Sequence, residues 1–182
     1  MNKYVLIKEE AVLFVTDIQE KLIPSMKYGE QVIHNTNSLI TIARKLGIPI
    51  VVTEQYPKGL GMTVSELKNN LDGSLIFEKV TFSGCTREVT SALEGLERKK
   101  IVISGMETHV CVFQTVRDLL SLEYEVFVVS DAVCSRTKDN YLNGLSLMSS
   151  MGAVITNTET VFFDLIKEAG TPLFRELSKL IK

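Results

Sequence analysis

The sequence predicts an α/β protein, a three-layer α/β/α sandwich built on a six-stranded parallel sheet. Three observations predict it. Short β-branched runs alternate about six times with longer stretches of helical periodicity. The first of these runs is apolar throughout, as in a strand buried on both faces. No linker, compositional shift or repeat interrupts the chain, so residues 1–182 read as one domain. Taken in order, Ala11 to Val15 is the first strand, ending at Thr16-Asp17. Val32, Thr36, Leu39, Ala43 and Leu46 then recur at helical spacing, with Gly47 where a helix C-cap belongs. Ile48 to Val52 is the second strand. A loop with Pro57, Gly59 and Gly61 follows, with a short helix over Thr63 to Asn69. Leu75 to Phe77 is the third strand, Thr86 to Lys99 a helix, and Lys100 to Ser104 the fourth strand. Thr108 to Ser121 is helical because Val112, Val116 and Leu119/Leu120 share a face. Glu125 to Val129 is the fifth strand, closed by Ser130-Asp131. Asn140 to Met151 is a helix, Ala153 to Ile155 the sixth strand, and Thr160 to Lys182 is helical in two pieces.

Composition narrows the function. Twenty basic residues against 22 acidic ones give a net charge of -2. That balance argues against nucleic acid or an anionic membrane as partner, since both call for a basic surface. Three cysteines with no CxxC pair make neither a disulfide framework nor a structural zinc site. The N-terminal stretch meets Lys8-Glu9-Glu10 before an apolar run long enough for a secretory signal can form. The longest apolar runs, Ala11 to Val15 and Ile48 to Val52, fall far short of a membrane span. Free thiols without an export signal point to the cytoplasm.

In an open parallel sheet the ligand sits beyond the carboxyl ends of the strands, near the switch in strand order. The candidates are then Asp17, Glu54-Gln55-Tyr56, Lys79, the run Gly105 to Cys111, and Asp131. Dinucleotide binding is disfavoured. No glycine follows the first strand and only Gly105 follows the fourth, so neither loop can press backbone amides against a pyrophosphate. Cys111 lies where the fourth strand gives way to a helix, a position expected to lower a thiol pKa toward the reactive thiolate. The plainer alternative is a small buried hydrophobe between Val110 and Val112. Asp17, at the end of an apolar strand, suits a partly desolvated proton shuttle; the alternative is an Asp capping a turn. Lys79 reads either as an exposed lysine or as a charge stabiliser. Together the three make a plausible nucleophile, base and cation.

These residues resemble a known family. Asp17-Ile18-Gln19, Lys79 with Phe82-Ser83, and Gly105-Met-Glu-Thr-His-Val-Cys111 are similar to the isochorismatase-like cysteine hydrolases, which include the nicotinamidases. Thr53-Glu-Gln-Tyr-Pro-Lys-Gly-Leu-Gly61 and Ser130-Asp-Ala-Val-Cys-Ser-Arg136 resemble the isochorismatase domain-containing subgroup. The resemblance runs from about Val12 to Lys182 and implies the Rossmann-like isochorismatase-like hydrolase fold. It implies a catalytic Asp17, Lys79 and Cys111 triad working through an acyl-thioester. It also implies a cis peptide at Met106-Glu107 that aims the Glu107 and Cys111 backbone N–H groups at an oxyanion. Relatives commonly form homo-oligomers.

The departures are informative. Nicotinamidases carry an Asp-x-His metal motif after the second strand and a further histidine. Here that place reads Thr53-Glu54-Gln55-Tyr56, and the chain holds only His34 and His109, so no metal or other cofactor is expected. Leu22 stands five residues after Asp17, where those enzymes stack an aromatic ring, which disfavours nicotinamide. Isochorismate fits poorly because its vinyl ether is cleaved by protonation and water, leaving Cys111 without a task. The expected substrate is a small amide, imide or ester, with Gln19, Leu22, Gln55, Tyr56 and Phe82 as candidate pocket residues. His109 is a weaker candidate base, and His34 a surface residue. Cys85 and Cys134 read as inert side chains, and Asp131 with Arg136 as a structural ion pair or interface contact. The competing readings are a catalytically idle interaction module, a vinyl-ether hydrolase and a thiol-redox protein.

Overall fold

The structure is a computed structural model and describes residues 4–181. Six strands form one sheet: β1 (Ala11–Thr16), β2 (Ile50–Gln55), β3 (Leu75–Lys79), β4 (Lys100–Met106), β5 (Glu125–Cys134) and β6 (Val154–Thr156). Every pairing is parallel and the order is β3-β2-β1-β4-β5-β6. The chain builds outward from β1 to β3, then returns to lay β4 on the free side of β1. The switch point therefore falls between the carboxyl ends of β1 and β4, where connections diverge and leave a crevice.

Alternation along the central strands assigns each side chain to one of two cores. Leu13 and Val15 of β1, Val102 of β4 and Phe127 of β5 face α1 (Gly29–Leu46) and, later in the chain, α7 (Thr158–Ile166). Val12 and Phe14, Ile101 and Ile103, and Val126 and Val128 face the opposite layer. That layer comprises α4 (Arg87–Gly95), α5 (Phe113–Ser121) and α6 (Lys138–Ser150). Both faces are thus covered, each fully buried Val, Leu or Phe adding about 1.5–3 kcal/mol. α1 ends at Gly47, whose φ of 66° is left-handed and whose N–H closes on Ala43 and Arg44. Two short helices, α2 (Pro57–Leu60) and α3 (Ser65–Lys68), and a final helix, α8 (Pro172–Leu177), complete the set with short 3-10 turns. Among the described residues, no helix is long and apolar enough to cross a membrane.

The predicted elements are all present, with shifted ends. β2 begins at Ile50, after Pro49, and runs three polar residues past Val52. β3 continues to Lys79, so that lysine ends a strand instead of following one. The helix from Thr86 stops at Gly95, since Glu97 takes a left-handed φ of 54°. β5 was expected to close at Ser130-Asp131 but runs to Cys134. Its polar residues find partners there: the Ser130 hydroxyl donates to Thr156 O at 2.7 Å, and Asp131 Oδ1 accepts from Thr158 N at 2.8 Å.

Candidate active site

Asp17 follows β1 immediately and is fully buried, with a left-handed φ of 52°. A non-glycine residue in that region is uncommon and is held by its surroundings. Its N–H donates to Thr53 O at 3.0 Å, and Thr53 Oγ1 donates to Asp17 Oδ1 at 2.7 Å. The other carboxylate oxygen, Oδ2, takes a 2.7 Å hydrogen bond from Lys79 Nζ at the end of β3. Neither charged side chain reaches solvent. The lysine also reaches Gln55 Oε1 at 2.6 Å, and the carbonyls of Thr81 and Phe82 at 3.2 and 3.1 Å. Buried charges persist only when paired and hydrogen-bonded in this way.

Cys111 comes from the other side of the switch point. After β4 the Met106-Glu107 peptide is cis, and residues Thr108–Val112 form a π-helical turn before α5. The Glu107 carbonyl collects the N–H groups of Val110 and Val112, folding the turn back on itself. Two glycines permit this. A Cβ on Gly105, at φ 126°, would lie 1.9 Å from Thr16 O, so only glycine lets β4 close on β1 here. A Cβ on Gly144 would meet Thr108 O at 2.9 Å, so glycine also lets α6 press on the turn. The result buries Cys111, 7% exposed, close enough to Asp17 and Lys79 for its thiol to feel both charges.

Electrostatics differ from the sequence expectation. Burial pushes the Cys111 thiol up to about 12, helped by the Asp17 charge and opposed by Lys79. The predicted depression by a helix terminus does not prevail, because the cysteine lies in the buried turn ahead of α5. Burial likewise raises Asp17 above the usual carboxylate range, against the opposing pull of Lys79 and Thr53. Burial thus favours a neutral Cys111 thiol and raises the proton affinity of Asp17.

The remaining predicted residues divide. Gln55 is buried at the site and orients Lys79, while its own Nε2 donates to Val80 O at 2.9 Å. Gln19 lies behind it as a latch instead of a pocket wall. Its Nε2 holds Gln55 O at 3.0 Å and Gly61 O at 2.7 Å, and its Oε1 accepts from Gln55 N. Leu22 packs partly buried against the core on the α1 side. Tyr56 and Phe82 are half exposed, Tyr56 on a cavity of about 480 Å³ that it shares with Lys79 and Thr81. His109 turns away from the thiol, with Nδ1 3.0 Å from Ser135 Oγ. His34 is exposed. Cys85 and Cys134 are unpaired, and burial pushes both thiols up to about 12. The Asp131–Arg136 pairing does not form. Asp131 holds the head of α7, and Arg136 instead grips Glu107, its N and Nε each 3.1 Å from Oε2. Among the described residues no three His, Cys, Asp or Glu side chains are grouped to hold a metal.

Sequence reasoning missed Thr53 and the Glu107–Arg136 pair. A signal for the first existed: Thr16 and Thr53 both end apolar runs and sit opposite each other in the β1–β2 register.

The Isochorismatase domain family model matches residues 11–160. The chain belongs to the isochorismatase family. Family relatives extend over nearly its full length. A protein of Phytophthora sojae called secreted isochorismatase effector Isc1 is 43% identical, over 97% of this chain and 87% of its own. Isochorismatase domain-containing protein 2 of Xenopus laevis is 38% identical, over 96% and 84%. Among solved structures, the MAR1 ribonuclease of Caenorhabditis elegans superposes with a TM-score of 0.93 at 39% identity, covering 97% of this chain and 92% of that one.

Proposed function

We propose that this isochorismatase-family chain is a metal-independent cysteine hydrolase acting on a small amide, imide or ester. The observation that carries the reading is one buried carboxylate, Asp17, bonded at once to the Lys79 ammonium and the Thr53 hydroxyl, with the buried Cys111 thiol near enough to feel both charges. In the proposed reaction Asp17 takes the thiol proton as sulfur attacks the substrate carbonyl carbon. Burial raises the proton affinity of Asp17, which makes it a stronger base toward the thiol than an exposed carboxylate would be. The developing oxyanion is held by the backbone N–H groups of Glu107 and Cys111. Asp17 then returns the proton to the departing amine or alcohol, leaving a Cys111 thioester. Water enters, gives its proton to Asp17 and attacks the thioester carbonyl. The acid departs, and sulfur recovers its proton from Asp17. Lys79 opposes the burial that raises Asp17 and so keeps it from becoming too weak an acid. No residue set for a cofactor enters the scheme.

The test is intact-mass detection of an acyl adduct across a panel of small amides, imides and esters. Wild type should gain the acyl mass and Cys111→Ala should not; an adduct at full yield in the variant overturns the reading. One observation favours a second reading: the raised Asp17 could protonate a vinyl ether of the isochorismate type without using sulfur. Cleavage of such a substrate that survives Cys111→Ala would select it. The nematode relative's ribonuclease description makes RNA hydrolysis a necessary control, although the net charge of -2 favours a small-molecule substrate. The three unpaired thiols support a reducing, cytoplasmic setting. Exposed Leu75, Ile76, Val80 and Phe82 along the β3 edge support self-association into a homo-oligomer, read by light scattering.

A further inference from the structure

A second cavity lies on the opposite side of the switch point from Lys79. It has a volume of about 460 Å³ and opens between the head of α1, the end of β5 and the head of α6. Three cations from these three places line it: Lys27, Arg136 and Lys138. Lys27 and Lys138 form no ion pair among the described residues, whereas Arg136 is bound to Glu107. Asp131 is the one acidic residue on the wall, and its Oδ1 is occupied by the Thr158 N–H and hydroxyl at 2.8 and 2.9 Å. Against Asp131 and the Glu107 that Arg136 already holds, the cations leave this rim net positive in a chain that is slightly negative overall.

The walls supply a second kind of recognition. Tyr28 and Tyr141 both face the cavity, and the floor is apolar at Val32 and Val133. Lys27 Nζ lies 5.5 Å from the Tyr28 ring centroid, so one cation is already placed beside an aromatic face. The frame is preformed: Tyr141 OH donates to Ser130 O at 2.9 Å, and Asn35 Nδ2 holds Asp131 O at 2.7 Å. A pocket with flat aromatic walls, an apolar floor and a cationic rim fits a ligand with a flat ring and an anionic head group.

We infer that this cavity is a binding site for a small aromatic anion, a carboxylate or phosphate monoester, separate from the Asp17–Lys79–Cys111 cluster. The probes are phenyl phosphate, benzoate and inorganic phosphate, titrated into the 182-residue chain and followed by calorimetry and tyrosine fluorescence. Saturation by either aryl anion with a Kd near or below about 1 mM supports the site, and the tighter of the two names the head group. Inorganic phosphate should bind about tenfold more weakly, because it leaves the tyrosine walls unused. Lys27 and Lys138 are exposed, so Lys27→Glu/Lys138→Glu should fold normally and lose tenfold or more of the affinity, roughly the effect of reversing two rim charges. Cys111→Ser should bind as wild type does, which separates this result from the fate of the hydrolase reading. No saturation up to about 10 mM, equal affinity for inorganic and phenyl phosphate, or wild-type affinity in the double variant would each overturn the inference.

Discussion

Two ion pairs flank the switch point, and they are built in opposite ways. On the β3 side, Lys79 and Asp17 are fully sealed, and the charged atoms of both are held by Thr53, Gln55 and each other. On the β5 side, Arg136 reaches Glu107 with 59% of its side chain exposed, beside two lysines without acidic partners. Burial makes the first pair a device for raising the proton affinity of its carboxylate. Exposure makes the second a weak contact whose charge remains available to a ligand. In the proposed reading, similar side-chain chemistry serves reaction on one side and recognition on the other.

The sharpest way to break this contrast is to remove one charge from the sealed pair. Lys79→Ala leaves Asp17 buried without its cation and should cost about 3–5 kcal/mol in chemical denaturation, together with any adduct formation at Cys111. Asp17→Asn combined with Lys79→Met removes both charges and should recover most of that stability while remaining inactive. Equal destabilisation in the single and double variants would show that the loss comes from packing instead of charge.

Thr53→Val probes the same pocket more gently. The hydroxyl bond to Asp17 is one of the contacts that draw the carboxyl downward, so its removal raises Asp17 further. The acid limb of the activity profile should move to higher pH, with a stability loss of about 1–3 kcal/mol for a missing bond to a buried charge. An unchanged acid limb would separate Asp17 from the titration that controls the rate.

The contrast also explains what the sequence revealed. Asp17, Lys79 and Cys111 could be chosen because strand ends are visible where apolar runs stop, and parallel sheets gather those ends. Gln19 was read as a pocket wall because sequence distance hides its hydrogen bonds to residues 36 and 42 positions away. β5 was read short because Ser130 and Asp131 look like a stop, yet both are satisfied across 26 or more residues by Thr156 and Thr158. A regular helix start at Cys111 would acidify the thiol. A π-helical turn with the sulfur nearly sealed changes the dominant influence from dipole to desolvation.

The thiols yield a smaller effect with a definite sign. Cys134 is raised by burial from an ordinary 9.0 to about 12. The folded chain therefore holds a proton between pH 9 and 12 that the unfolded chain releases, and stability falls as pH rises through that window. Cys134→Ala should flatten the alkaline decline of the denaturation midpoint without altering the region below pH 8. An identical alkaline slope would assign the decline to the other buried thiols.

The least effect is expected from the exposed pair. Arg136→Ala loses a contact that is largely screened by solvent, so stability should change by about 1 kcal/mol or less, and less again at high salt. Its consequence should appear locally. Glu107, 11% exposed and no longer neutralised, adds to the negative field that already raises Cys111, so alkylation of Cys111 should slow at fixed pH. Mass-resolved labelling with iodoacetamide measures this directly, and Glu107→Gln in the same background should restore the rate. If labelling is indifferent to Arg136, the two sides of the switch point are electrostatically independent, and the rim cations serve recognition alone.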